Sequence, residues 1–141
     1  MSARSKARKR ALDILYAAEL RRVSPIAVLA EGPMSEGAAN TSPAPNPYTV
    51  TLVEGVVAHQ ARIDELLGTY SSGWALDRMP AVDRNVLRLG VFELLWCPEV
   101  PAPVVIDEAV NLVRGLSTDE SPAFVNGVLA RILDLRPRLA V

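Results

Sequence analysis

Apolar side chains return every three to four positions along most of this chain, the spacing of one helix face rather than the alternation of a strand. Leu12, Leu15, Tyr16 and Leu20 share such a face, flanked by Ala11, Ile14 and Ala18, which predicts a first helix from about Arg4 to Arg22. Ser24-Pro25 reads as a cap followed by a first-turn proline and starts a short helix to about Glu31. Asn46-Pro47 restarts a helix that reaches about Ser71, with a break allowed near His59. After Ser71–Gly73 and a short turn over Ala75–Met79, Pro80 leads into a helix to about Trp96. Its apolar set (Val82, Val86, Leu87, Leu89, Val91, Phe92, Leu94, Leu95, Trp96) nearly surrounds the axis, the mark of a helix through the centre of a core. Pro98, Pro101 and Pro103 form a stiff turn, and Pro103 opens a helix to about Leu116. Val105, Ile106, Ala109, Val110, Leu112, Val113 and Leu116 fall on one side of it. Ser121-Pro122 repeats the cap-and-proline start for a last helix to about Leu135, with Phe124, Val125, Val128, Leu129 and Ile132 inward. The predicted fold is all-α, six to seven helices in one compact bundle. Residues 32–47, rich in Pro, Gly, Ser and Asn, bury little and are expected to be a flexible loop.

The length of 141 residues suits a single domain over 1–141, and half the residues are hydrophobic, enough for a real core. The formal charge of −1 hides an asymmetry. Residues 1–22 carry seven basic against two acidic side chains, and the remainder carries eight against fourteen. A basic arm over residues 1–10 on an acidic body points to a polyanion for the arm and a basic protein for the body. The lone Cys97 forbids an internal disulfide, which fits a reducing cytoplasm, and one Cys with one His (His59) builds no zinc cluster. No apolar run reaches the roughly 18 residues of a membrane span. Asp13 and Glu19 interrupt the apolar stretch after the basic residues, which argues against a secretory signal.

Arg4, Lys6, Arg8, Lys9 and Arg10 crowd the start of the first predicted helix. Cations there oppose the macrodipole by about 0.3–1 kcal/mol each, and the i,i+4 pairs Arg4/Arg8 and Lys6/Arg10 repel. Such a segment is expected to fray alone and to order when phosphates neutralise it. Five phosphate contacts on a single strand would give a log–log salt slope of about −3.5. Catalytic chemistry has no comparable signal. Glu19 and Glu93 face apolar neighbours, but no nucleophile, metal set or phosphate loop accompanies them, so they read as structural acids paired with arginine or capping helices. No cofactor is expected. His59 reads as a surface or helix-end residue, Cys97 as a small helix-end residue, and Trp74 and Trp96 as core or edge anchors.

Ala7-Arg8-Lys9-Arg10-Ala11 with Ile14-Leu15-Tyr16 and Glu19-Leu20 resembles the arginine-rich opening of the NusB family. Val82-Asp83-Arg84-Asn85-Val86-Leu87-Arg88-Leu89 with Phe92-Glu93-Leu94 resembles its central helix. Val100-Pro101, Val105-Ile106-Asp107-Glu108-Ala109-Val110 and Phe124-Val125-Asn126-Gly127-Val128-Leu129 resemble its last two helices. The resemblance covers nearly the whole chain outside residues 32–47. It implies two packed three-helix-type subdomains, no enzymatic activity, and binding to the boxA RNA element of nascent ribosomal RNA transcripts. The implied partners are NusE, a small-subunit ribosomal protein, and a larger complex with NusA, NusG and RNA polymerase; the large apolar share also permits a homodimer. The RNA surface it implies is Arg4, Lys6, Arg8, Lys9, Arg10, Tyr70 and the Phe124 region. The NusE surface it implies includes Tyr16, Asp77, Asp83, Arg88 and Glu120. Asp83 stands where the family often has Glu, which shortens its reach. Core packing for Phe124 and a buried ion pair for Arg88 are the competing roles.

Two other readings remain at this level. The same fold serves as the RNA-binding part of certain RNA cytosine-5 methyltransferases, although this chain ends at Val141 without a cofactor-binding domain. A helical protein-interaction adaptor without an RNA role is the other.

Overall fold

The structure, a computed structural model, describes residues 2–32, 46–71 and 73–139. Among the described residues six helices follow in order: α1 (Ala3–Arg21), α2 (Pro25–Glu31), α3 (Pro47–Tyr70), α4 (Ala81–Trp96), α5 (Ala102–Leu116) and α6 (Ser121–Leu135). Short 3-10 turns lie at Leu76–Arg78 and Arg136–Arg138, and the described residues hold no strand. The chain divides into two compact units, with the boundary between Ala58 and His59 inside α3. The helix itself runs through His59 without the break that the sequence allowed. Of the expected flexible loop, residues 33–45 lie outside the described residues; Gly32 caps α2 and Pro47 is already helical.

In the first unit, α1 packs against α2. Ala7, Ala11, Leu12, Ile14, Leu15 and Ala18 are buried on α1, while Tyr16 is 37% and Leu20 68% exposed. The buried stripe is therefore turned from the expected one toward the alanines. Thr49 of α3, itself buried, donates its hydroxyl to the Ala7 carbonyl at 3.2 Å. Ser24 caps α2 as expected, accepting from the Ile26 amide. Arg21 and Glu31 tie the C-terminal ends of α1 and α2 through two hydrogen bonds of 2.9 and 2.7 Å. The hydrogen bond from Arg21 holds the Glu31 carboxyl below its ordinary range. The tie is thus complete at neutral pH and is lost as pH falls through that lowered value; being exposed, it contributes little.

In the second unit, α4 is the buried element, from Asp83 through Leu94, and it packs against α5 and α6. Gly90 sets how closely. A Cβ there would lie 2.8 Å from the Leu129 Cδ1 of α6, and Leu129 is fully buried. On α6, Val125, Val128, Leu129 and Ile132 are buried as expected, but Phe124 sits half-buried at the edge. Ser121 is the first helical residue rather than the cap, and its hydroxyl accepts from the Thr118 amide of the preceding loop. Arg84 donates to the carbonyls of Leu76 and Met79, strapping the 3-10 turn to the start of α4.

Gly90→Ala is expected to lower stability by about 1–3 kcal/mol through overpacking against Leu129, less the roughly 1 kcal/mol that alanine gains in a helix. Thermal unfolding checks the sign: a variant as stable as the parent would mean that Leu129 gives way freely.

Candidate nucleic-acid interface

The basic start of α1 is an ordered helix. Ser2 caps it, its hydroxyl accepting from the Ser5 amide at 3.0 Å. The Tyr48 ring, from the first turn of α3, receives the Arg4 guanidinium at 4.7 Å and that of Arg8 at 5.7 Å from its centroid. Asn46 fixes that turn, its side-chain oxygen accepting from the Tyr48 amide at 2.7 Å. Lys9 pairs with Asp13 at 2.8 Å, and Arg10 donates to the Gly32 carbonyl at 3.1 Å. An aromatic face, one carboxylate and one carbonyl thus offset the repulsion that predicts a frayed arm. The five cations are not equivalent. Arg4 and Lys6 are exposed, Lys9 and Arg10 are partly covered, and Arg8 is only 3% exposed. Arg8 is a structural residue of the first unit rather than a free phosphate ligand.

In the second unit three aromatics from separate segments come together. Phe124 of α6 lies 5.1 Å from Trp74, ring to ring, tilted by 55°. Trp74 is held at the surface, 41% exposed, by a turn in which Gly73 takes φ 86° and Ser71 donates its hydroxyl to the Trp74 carbonyl. A glycine suits that left-handed φ because it has no Cβ to clash. Trp74, Asp83, Glu120 and Phe124 line one opening; Phe124 also joins Tyr70 along a second, open groove on α6. Asp83 Oδ1 accepts from the Ser117 hydroxyl at 2.5 Å, while its Oδ2, fully buried, has no hydrogen-bond partner among the described residues. A buried acceptor left open is costly unless a ligand's N–H or O–H, or water, meets it.

The residues expected at the NusE surface are divided between the two units and differ in exposure. Asp83 is 0% exposed and cannot reach a protein surface; with Glu120 it belongs to the Phe124 opening, beside residues expected to meet RNA. Arg88 is engaged within the second unit, its Nε and Nη2 donating to the Asp64 carboxylate at 2.9 and 3.1 Å, the ion-pair role. Asp77 is exposed on the 3-10 turn. Tyr16 lies in the first unit, where Leu20, Val23 and Ile26 are also exposed. Sequence reasoning missed Tyr48, read Trp74 only as a core or edge anchor, and took His59 for a surface or helix-end residue. His59 is stacked on Trp96 at 4.1 Å and 16°, next to Phe92. Only the Asn46-Pro47 helix start, which puts Tyr48 in a first turn, hinted at any of these. Glu19 and Glu93 both have partners, as structural acids require. No group of three potential ligands among the described residues could hold a metal ion.

The NusB family model matches residues 5–134. This chain belongs to the NusB family. The transcription antitermination protein NusB of Nocardioides sp. is 61% identical over 140 residues, spanning 99% of this chain and all of the relative. That of Kineococcus radiotolerans is 53% identical, spanning 99% of both. A solved structure of T. maritima NusB superposes with a TM-score of 0.82 at 31% identity, covering 94% of this chain and 92% of that one. A structure of the antitermination factors NusB and NusE in complex with dsRNA superposes at 0.79 and 31%, covering 93% and 96%. These NusB relatives are named for transcription antitermination, not for an enzymatic reaction.

Tyr48→Leu removes the face that holds Arg4 and Arg8 and is expected to cost about 1–2 kcal/mol, whereas Tyr48→Phe keeps most of the stability. Chemical denaturation of both variants decides it; equal losses would show that the ring acts through packing or its hydroxyl instead.

Proposed function

We propose that this chain is a transcription antitermination factor. It binds boxA-type RNA in nascent transcripts, chiefly ribosomal RNA leaders, together with NusE, and joins NusA, NusG and RNA polymerase in the cytoplasm. Among the described residues no helix is long and apolar enough to cross a membrane. The observation that carries the reading is the aromatic row of the second unit. Trp74, Phe124 and Tyr70 border two openings that share Phe124. Unstacked bases lie on such faces at about 1–3 kcal/mol each. Arg4 and Lys6, exposed on a capped helix, supply the phosphate-facing charge. The solved NusB–NusE–dsRNA complex supports both an RNA and a protein partner.

Tyr16, with Leu20, Val23 and Ile26, gives NusE an apolar anchor in the first unit. The exposed carboxylates of Asp77 and Glu120 suit a basic ribosomal protein and would act mainly on association rate and specificity. The same exposed apolar side chains offer a surface to a second copy of the chain, a homodimer being the other occupant they permit. An adaptor without an RNA role draws support from the burial of Arg8, which removes one cation from reach. The methyltransferase reading draws none, since relatives matched along their full length are antitermination proteins.

A boxA-type RNA and a scrambled RNA of equal length, titrated with and without NusE at two salt concentrations, separate these readings. The expected result is tighter boxA binding, a gap that NusE widens, and a steep loss with salt. With at most Arg4, Lys6 and Lys9 open to phosphates, the arm's share of the slope is about −2 rather than the −3.5 of five free cations. Retained NusE binding with no RNA affinity under any condition would leave the adaptor.

A further inference from the structure

Gly127 sits mid-way along α6, exposed, where a glycine weakens the helix relative to alanine. Neither structural reason for a glycine holds there. Its φ is not positive, and a Cβ built on it would meet no atom within 4 Å. Gly90, by contrast, is explained by Leu129. Gly127 does lie in the open groove that Tyr70 and Phe124 also line, and its bare backbone keeps the space between them clear. Arg131, one helical turn on and exposed, holds its guanidinium 5.6 Å from the Tyr70 ring centroid. That puts a positive charge beside an aromatic face at the same groove. Asp134, three residues beyond Arg131, also lines it, so the groove sets one cation against one carboxylate and suits a single phosphate rather than a run of them.

We infer that Gly127 and Arg131 complete a one-nucleotide subsite for single-stranded RNA. The base lies over the bare helix surface at Gly127, against the Tyr70 and Phe124 rings, and Arg131 meets the phosphate of that nucleotide. The inference rests on the RNA reading above and adds two residues that determine it. The occupant follows from the chemistry of the groove. An apolar peptide would not use the cation, and an acidic peptide would not use two flanking aromatic faces, whereas a nucleotide uses both.

The test uses the full-length protein and the single-stranded boxA-type RNA, with affinity read by fluorescence anisotropy and folding by thermal unfolding. Gly127→Leu fills the groove from an exposed position and is expected to weaken RNA binding at least tenfold, with Tm equal to or above the parent's. Gly127→Ala, which intrudes less, is expected to lose only two- to threefold. Arg131→Gln is expected to lose about three- to tenfold and to reduce the salt slope by about 0.7, the share of one phosphate on a single strand. It keeps the question decidable even if the leucine variant were to unfold. Parent-like RNA affinity in folded Gly127→Leu, or an unchanged salt slope in Arg131→Gln, would overturn the subsite while leaving the RNA reading intact. Absence of RNA binding by the parent protein would overturn both.

Discussion

Five cations gathered at the positive end of one helix dipole are the constraint on which the first unit turns. Left to themselves they would unwind the first turns of α1, and with them the start of the face that buries Ala7 and Ala11. The fold answers with three groups: the Tyr48 ring, the Asp13 carboxylate one turn along α1 itself, and the Gly32 carbonyl. Two of the three lie on segments separated from α1 by the rest of the unit. The order of the basic helix is therefore a tertiary property. The same arrangement sorts the cations, spending Arg8 on structure and leaving Arg4 and Lys6 at the surface.

The second unit works by a similar economy. α4 is buried so thoroughly that its polar residues must be satisfied internally, and most are: Arg88 by Asp64, Asn85 by the Ala81 carbonyl, Asp83 in part by Ser117. The close approach at Gly90 locks Leu129 inward and so fixes the rotation of α6. With Leu129, Val125 and Ile132 committed to the core, the periodicity of a helix leaves Phe124 at the edge and Gly127 and Arg131 facing out. Core packing thus places the aromatic ridge, and the half-satisfied Asp83 lies beneath it.

Much of this was legible in the sequence. Helix bounds at Arg21, Pro25, Trp96 and Leu135 follow from proline placement and apolar spacing, which are local signals. The role of Arg88 was legible only as an alternative, because a half-buried ion pair needs to know where Asp64 stands. The stripe of α1 was misread at Tyr16 and Leu20 because a large side chain outweighs an alanine on a helical wheel. In packing, the alanines allow the closer approach and win. Tyr48 and the stacked His59 were out of reach for the same kind of reason, since their partners are remote in sequence and carry no local periodicity.

The central claim is that the basic helix of this NusB-family chain is built before its ligand arrives. Amide hydrogen exchange on the free protein tests it most directly, at the backbone amides of Arg8 to Leu12, which lie past the unbonded first turn. The account predicts protection there in the absence of RNA, and protection weakened by roughly tenfold in the Tyr48→Leu variant. Exchange at the rate of an unstructured chain until RNA is added would contradict it, and would make the arm a segment that folds on binding.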